Sequence, residues 1–301
     1  MAVSSGQVNI ALAIGSEKMS NEDRSKPIKA LEAAADLDEL AALKEKIAPN
    51  GSGNGSVFMD VYSSIAREYM EAAGANAEDF ARVSVKQRRS GALNPIAQFK
   101  EEVAIEDVLS SRMISDPLTL MMCSSIGDGA AALVIMTQQE AKKRNLQSVE
   151  ILACEMRSGQ GDNKGALPVA SAASQAAYER ASLGPEDIDI FELHDAAAPA
   201  ELILCEQLGL CNPGDAVSLL RSGRTGLGGD MPINLSGGLI SKGHPIGATG
   251  AAQLVELADQ LRGRSGPRQC ARPKIALAEN GGGWIGNDAA TAVVTILEST
   301  I

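Results

Sequence analysis

The 301 residues are 45% hydrophobic and 22% charged, a globular composition long enough for one large or two ordinary domains. A formal net charge of −11 argues against nucleic acid or an anionic membrane surface as the main partner, while leaving room for a local basic pocket. With 3% aromatic residues and 30 glycines, the chain suits small-residue packing of helices on a sheet better than an aromatic binding platform.

Val8 to Ile14 reads as a buried strand ended by Gly15. Ser20 to Gly55 is charged, then rich in Gly, Ser and Asn, and predicts a surface helix followed by a flexible loop. Val57 to Ala73 and Ala77 to Ser90 have helical spacing, and Asn94-Pro95 breaks the chain. Asp128 to Met136 predicts a strand, Glu140 to Arg144 a short helix end, and Val149 to Glu155 another strand. Pro168 to Ser182 follows as a helix, then the strand Asp187 to Leu193, which leads directly into His194. Asp195 is placed to cap a helix that runs to about Leu208, and Cys211 to Met231 reads as a glycine-rich loop. Asn234 to Gly250, NLSGGLISKGHPIGATG, is a glycine-rich loop carrying His244 and Pro245. A helical pattern through Ala251, Leu254, Val255, Ala258 and Leu261 follows it, and the strands Lys274 to Ala278 and Ala289 to Leu297 close the chain.

Two short patterns recur in order. Ile10-Ala11-Leu12-Ala13 returns as Ile275-Ala276-Leu277-Ala278. The spacing of Asp128, Ala130, Ala132 and Val134 returns as Asp288, Ala290, Ala292 and Val294. This points to two copies of one α/β unit, the first carrying a large insertion and lacking its opening elements. A parallel sheet is normally covered on both faces. Such an incomplete first unit is therefore expected to expose apolar surface and open strand edges.

The five cysteines, Cys123, Cys154, Cys205, Cys211 and Cys270, are odd in number and widely spaced, without a CxxC pair. They fit buried thiols in a reduced compartment better than a disulfide framework or a zinc site, and no metal is expected. No apolar run approaches a membrane span, and the first residues lack a basic n-region, so the cytoplasm is the expected location.

The chain has only two histidines, and both sit at junctions leading into helices. His244 precedes a helix N-terminus, where free backbone N–H groups suit an oxyanion or phosphate. The plainer alternative is a tight turn with an exposed histidine. A third loop, Glu279-Asn280-Gly281-Gly282-Gly283, ends a strand and is placed to converge on the same region. Gly281, Gly283 and Gly286 spell GxGxxG, but a β-rich segment follows where a dinucleotide site needs a helix. There is no GxSxG elbow for a serine hydrolase.

GSEKMS from Gly15, NP at Asn94, SRMISDPLTLMMCSSIGDGAAAL from Ser111, ELHDA from Glu192, SGGLISKGHPIGATG from Ser236 and the closing ENGGG with AATAVVTIL together resemble the thiolase superfamily. The likeness is greatest to its sterol carrier protein X-type and archaeal-type branch and covers essentially the whole chain. It implies duplicated α/β layers (α-β-α-β-α). Residues 1–146 would be the remnant of an N-terminal half with a loop domain at about 20–118, and 147–301 the C-terminal half. It implies an acyl-CoA acyltransferase acting by 3-oxoacyl-CoA thiolysis or acetyl-CoA condensation, with coenzyme A or acyl-CoA as substrate and no tightly bound cofactor. A dimer is the family's habit, and a small zinc-ribbon and OB-fold partner often accompanies this branch.

The resemblance also assigns roles. His244 matches the base that activates a nucleophilic cysteine, and with His194 it lines one oxyanion hole. Gly281 matches the glycine of a CxG loop whose N–H belongs to a second hole. Ser124 resembles a serine near the pantetheine and is read equally well as a turn residue; Gly243 is placed with it on the coenzyme A side. The family's nucleophilic cysteine would lie upstream of Met1, so the resemblance implies an N-terminally truncated chain. Glu279 stands where the family has its acid/base cysteine, as a replacement base or a loop cap, and Ala196 replaces a further cysteine. These departures leave two alternatives: a thiolase-like carbon–carbon lyase of retro-aldol type, or a non-catalytic acyl-CoA-binding subunit.

Overall fold

The computed structural model describes residues 1–23, 25–36, 38, 57–161 and 165–300. The expected glycine-rich stretch at 50–56 lies outside them. The strands are β1 (Ile10–Glu17), β2 (Met113–Ser115), β3 (Leu118–Thr119), β4 (Gly129–Met136), β5 (Val149–Ser158), β6 (Ile190–Glu192), β7 (Ile275–Gly282) and β8 (Thr291–Ser299). The helices are α1 (Ser25–Glu32), α2 (Val57–Ala73), α3 (Ala77–Ala92), α4 (Ile105–Ser110), α5 (Gln138–Lys143), α6 (Val169–Ala181), α7 (Ala198–Gln207), α8 (Ala216–Arg221) and α9 (Ile246–Leu261).

The second α/β unit is a four-stranded sheet in the order β5-β8-β7-β6, with β6 parallel to β7 and the other neighbours antiparallel. Both faces are covered. Leu277, Ala292, Val294 and Ile296 join the larger core with Ala173 and Ala177 of α6. Ala276, Ala278 and Leu297 pack with Leu257 and Leu261 of α9 in a second cluster. Helices α2 and α3 pack on α7 and cover the carboxyl ends of β6 and β7.

The first unit contributes the antiparallel pair β1–β4. Its register differs from that of β7–β8 by two residues. Leu12 faces Val134, whereas the repeat-equivalent Leu277 faces Ile296 and Glu279 faces Val294. A shift of two preserves the sidedness of every residue, which is why the sequence repeat survives it. One face of β1 rests on α9 through small residues. A Cβ at Gly15 would lie 2.4 Å from the Gly247 carbonyl oxygen, and one at Gly247 would lie 2.6 Å from that of Ser16. These glycines let strand and helix backbones touch. The opposite face carries Leu12, Ile14 and Val134, each at least 60% exposed, in keeping with the expected open apolar surface.

The structure corrects three sequence expectations. Strand pairing on Asp187–Leu193 is confined to Ile190–Glu192, because Pro185–Asp187 forms a 3₁₀ turn and Asp189 accepts the backbone N–H groups of Lys274 and Ile275. Asp195 does not cap α7. That helix starts after Ala197 with Pro199 in its first turn and no side-chain cap, and Asp195 turns to the N–H of Leu239. The supposed loop Cys211–Met231 contains α8, whose Val217, Leu219 and Leu220 are buried.

The unequal cover of the two sheets predicts unequal amide protection, since local stability follows buried contacts. In hydrogen-exchange mass spectrometry of this chain, β1 and β4 peptides should exchange at least ~10-fold faster than β7 and β8 peptides. Equal protection would contradict the description of β1–β4 as the weakly held sheet.

Candidate active site

The end of β6, the second half of β7 and the loop before α9 meet in one place, so Glu279 to Gly282, expected in a loop, stand within a strand. β6 delivers His194, β7 delivers Glu279, and the glycine loop before α9 delivers His244. They line a cavity of about 640 Å³, together with Tyr62 of α2 and with Ser124. The imidazoles of His194 and His244 stand edge to face, with ring centroids 5.0 Å apart.

The glycine loop reaches this position through an unusual turn. Gly237 and Gly238 take φ of +100° and +57°, and Gly238–Lys242 forms a single π-helical turn closed by the Lys242 N–H on the Gly237 carbonyl. Backbone N–H groups of Gln98 and Phe99 bind the carbonyls of Lys242 and Ser241. Gly243 has φ of +105°, and a Cβ there would lie 2.8 Å from Gln98 Oε1. It is a conformational requirement next to His244 and does not itself line the cavity. Pro245 is the N-cap of α9.

The segment Cys123–Ile126 crosses both histidine loops. The N–H of Ser124 binds the Ala196 carbonyl at 2.9 Å, Cys123 bridges Ala197, and Ile126 bridges His244. Ser124 is thereby held on the cavity wall. Sequence reasoning missed this bracing, because its partners lie some 70 to 120 positions away in the chain.

Hydrogen bonding sets the His244 tautomer. Thr249 Oγ1 lies 2.7 Å from His244 Nδ1 and donates its own proton to the Pro245 carbonyl at 3.1 Å. Nδ1 is therefore the donor and Nε2 carries the lone pair. Burial, followed by the charges of His194 and Lys242, drives the His244 pKa well below the usual histidine value. His194 is lowered to about 4 by burial and then by Lys242. The Lys242 ammonium is buried without a hydrogen-bond partner among the described residues. At neutral pH both imidazoles are uncharged.

Glu279 is 1% exposed, and its Oε2 accepts the backbone N–H of His194 at 3.2 Å. Burial raises its pKa to about 7 despite that hydrogen bond. Gly281 lies on β7 opposite Ala292, and a Cβ there would come within 3.3 Å of Glu279 Oε1. The Cys123 thiol also lines the cavity. It donates to the Thr119 carbonyl at 3.4 Å, and burial pushes it up to about 12, so it is not a thiolate near neutrality. Among the described residues no cluster of three His, Cys, Asp or Glu side chains is arranged to hold a metal, and no helix is long and apolar enough to cross a membrane.

Residues 155–298 match the family model described as thiolase C-terminal domain-like. The chain is 36% identical over 294 residues to acetyl-CoA acetyltransferase of Methanothermobacter thermautotrophicus, covering 96% of this chain and 73% of that protein. It is 37% identical over 295 residues to sterol carrier protein 2 of Rattus norvegicus, covering 92% of this chain and 52% of the relative. The chain thus spans about half the length of the sterol carrier protein 2 relatives it matches. Among solved structures, the Ltp2-ChsH2(DUF35) aldolase is similar with a TM-score of 0.79 and 25% identity, over 99% of this chain and 74% of that one. The chain belongs to the thiolase superfamily and has its α/β fold.

The raised pKa of Glu279 has a stability consequence of definite sign. Its folded value of about 7 exceeds the ordinary 4.5, so its contribution is fully present below pH 4.5 and is lost as pH rises toward 7. Glu279→Gln should therefore raise Tm relative to the parent at pH 8, by the equivalent of up to ~3 kcal/mol, with little difference at pH 4.5. Parallel Tm curves from pH 4.5 to 8 would contradict a buried, titrating carboxyl.

Proposed function

We propose that the cavity is an acyl-CoA site for thiolase-type carbon–carbon bond chemistry, with Glu279 and His244 exchanging the protons. The observation that carries this reading is the meeting of a carboxyl poised at about 7 with a neutral imidazole whose Nε2 is bare. General acid/base catalysis is most effective when the pKa lies near the working pH. In the condensing direction, the Glu279 carboxylate takes a proton from the carbon next to the thioester. The negative charge developing on the thioester oxygen needs donors, a role the family likeness gives to the His194 side and to the Gly281 N–H, His244 being able to donate there only after its Nε2 has taken a proton. Ser124 is the proposed contact to the pantetheine arm.

The first form of this reading is acyl transfer to and from coenzyme A, as the likeness to an acetyl-CoA acetyltransferase supports. It requires a cysteine thiolate as acyl acceptor. A second form is retro-aldol cleavage of a 3-hydroxyacyl-CoA, where a base removes the hydroxyl proton and the carbon–carbon bond breaks toward the thioester enolate, which is then protonated. It requires no thiolate. The likeness to an aldolase favours it. That neighbour's name pairs Ltp2 with a second component, ChsH2(DUF35), which supports a partner subunit for this chain as well.

The test is turnover of 3-oxoacyl-CoA with free coenzyme A, and of 3-hydroxyacyl-CoA alone, read by mass spectrometry of the thioester products. His244→Ala and Glu279→Gln should each lower the active reaction by ~10²-fold or more. Iodoacetamide should abolish acyl transfer and leave retro-aldol cleavage intact. Unchanged turnover in both variants would remove the proposed proton-transfer pair.

A further inference from the structure

The β6–β7 ladder ends at the pair Glu192–Ala278. Beyond it the two strands part. β6 turns away toward His194, while Glu279 stays paired with β8 opposite Val294. The carbonyl groups of Glu192 and Glu279 lie at this fork in the interior, and buried carbonyls need donors.

One side chain meets both. Gln253, on α9 and fully buried, donates through Nε2 to the Glu279 carbonyl at 3.0 Å and to the Glu192 carbonyl at 3.3 Å. Its Oε1 accepts from Asn280 Nδ2 at 3.0 Å. The amide orientation is fixed by these partners, since a carbonyl can only accept. The neighbouring buried position Leu257 on the same helix is purely apolar, so hydrophobic packing alone does not call for an amide at 253.

We infer that Gln253 is a positioning residue whose single amide holds the forked ends of β6 and β7 to α9, and thereby fixes Glu279 against His194 and the His244 loop. The three parts of the site come from three separate elements, and this amide bonds two of them, β6 and β7, to the third, α9, on which it sits. β6 contributes through Glu192, β7 through Glu279 and Asn280, and α9, whose N-terminus follows His244, carries Gln253 itself. An apolar residue of similar length would fill the space and leave two carbonyls without this donor, so the fork would relax. The Glu279–His194 contact, already 3.2 Å long, is the bond most exposed to that relaxation.

The inference rests on the acyl-CoA reading only for its effect on turnover, so its test carries a readout independent of catalysis. In protein with carbon-13-labelled glutamate, the Glu279 carboxyl is assigned with Glu279→Gln and titrated. Its midpoint of about 7 is held down by the His194 N–H, so loosening that bond moves it upward. His194 and Tyr62, the groups whose interactions with Glu279 are felt from the β6 loop and from α2, are unaltered in the variants. Gln253→Met should raise the midpoint, lower kcat ~10-fold or more, and leave KM within ~3-fold. Asn280→Ala, which removes only the bond to Oε1, should shift the midpoint in the same direction by less. A folded Gln253→Met with the parent midpoint overturns the inference, as does an unshifted Asn280→Ala if the methionine variant does not fold. A shifted midpoint in a protein that turns over neither class of acyl-CoA upholds the positioning role and overturns the proposed function instead.

Discussion

Two buried carboxylates on either side of His194 tie together segments 44 residues apart, and the meeting of the histidines depends on them. Glu192 accepts the Ser236 N–H at 2.9 Å and its hydroxyl at 2.6 Å, and Asp195 accepts the Leu239 N–H at 2.8 Å. Such bonds are worth about 1.5–3 kcal/mol each while the carboxyl is ionised and about 0.5–1.5 kcal/mol when it is protonated, offset in the ionised form by the cost of taking a carboxylate out of water. That cost appears as raised pKa values. Burial and Glu256 raise Glu192, and burial raises Asp195 to about 8. At neutral pH Asp195 therefore carries a proton. The oxygen not bound to Leu239 lies against Gly238, where a Cβ would come within 2.5 Å of it and 2.4 Å of Gln87 Oε1. The glycine at 238 is needed because two side chains already occupy the space a third would take.

On the other side of α9 the constraint is steric rather than polar. Gly15 and Gly247 let β1 lie directly on the first turn of the helix, and Glu17 Oε2 accepts the Gly247 N–H at 3.1 Å. The same helix thus carries the His244 loop at its N-terminus, supports β1 and β4 on one side, and packs Leu257 and Leu261 on β7 and β8 on the other. The apolar side chains on the outer face of β1 and β4 forgo the ~1.5–3 kcal/mol each would gain if fully buried. The cohesion of the described residues lies mainly in the second sheet with α6, α7 and α9, which is where the catalytic candidates are anchored.

How much of this was legible in the sequence differs by residue. The helical spacing after Pro245 and the apolar runs at Gly129–Met136 and Thr291–Ser299 carry strong local patterns, and those elements formed within a few residues of expectation. The convergence of His194 and His244 was legible because each follows or precedes a regular element, whereas Glu279 was expected to open a loop and lies within β7. The role of Asp195 was not. An Asp just before an apolar run reads locally as a helix cap, whereas its actual partner is 44 residues away in a glycine loop. Helix α8 was hidden among glycines because six residues give too short a period to stand out. The π turn before His244 leaves no sequence signal beyond paired glycines, since it is imposed by the strand-like contacts of Gln98 and Phe99.

The charge states in the cavity share one leading cause, the burial of the ionisable groups. Burial is the leading cause of the lowered histidines, of the raised Glu279 and of the protonated Cys123 alike. It acts in opposite directions on bases and acids because it disfavours whichever form is charged. The cavity therefore holds two neutral imidazoles beside a carboxyl that changes charge near neutrality. An open, hydrated one would return the imidazoles toward ordinary histidine values and the carboxyl toward 4.5. The proton-transfer roles depend on that difference, because it leaves Glu279 as the group that titrates near neutrality and His244 as a free but weak base. Helices α1 and α2, which place Leu31 and Tyr62 on the cavity wall, thus act on the chemistry without touching a proton: by covering the site they set which groups are free to exchange one.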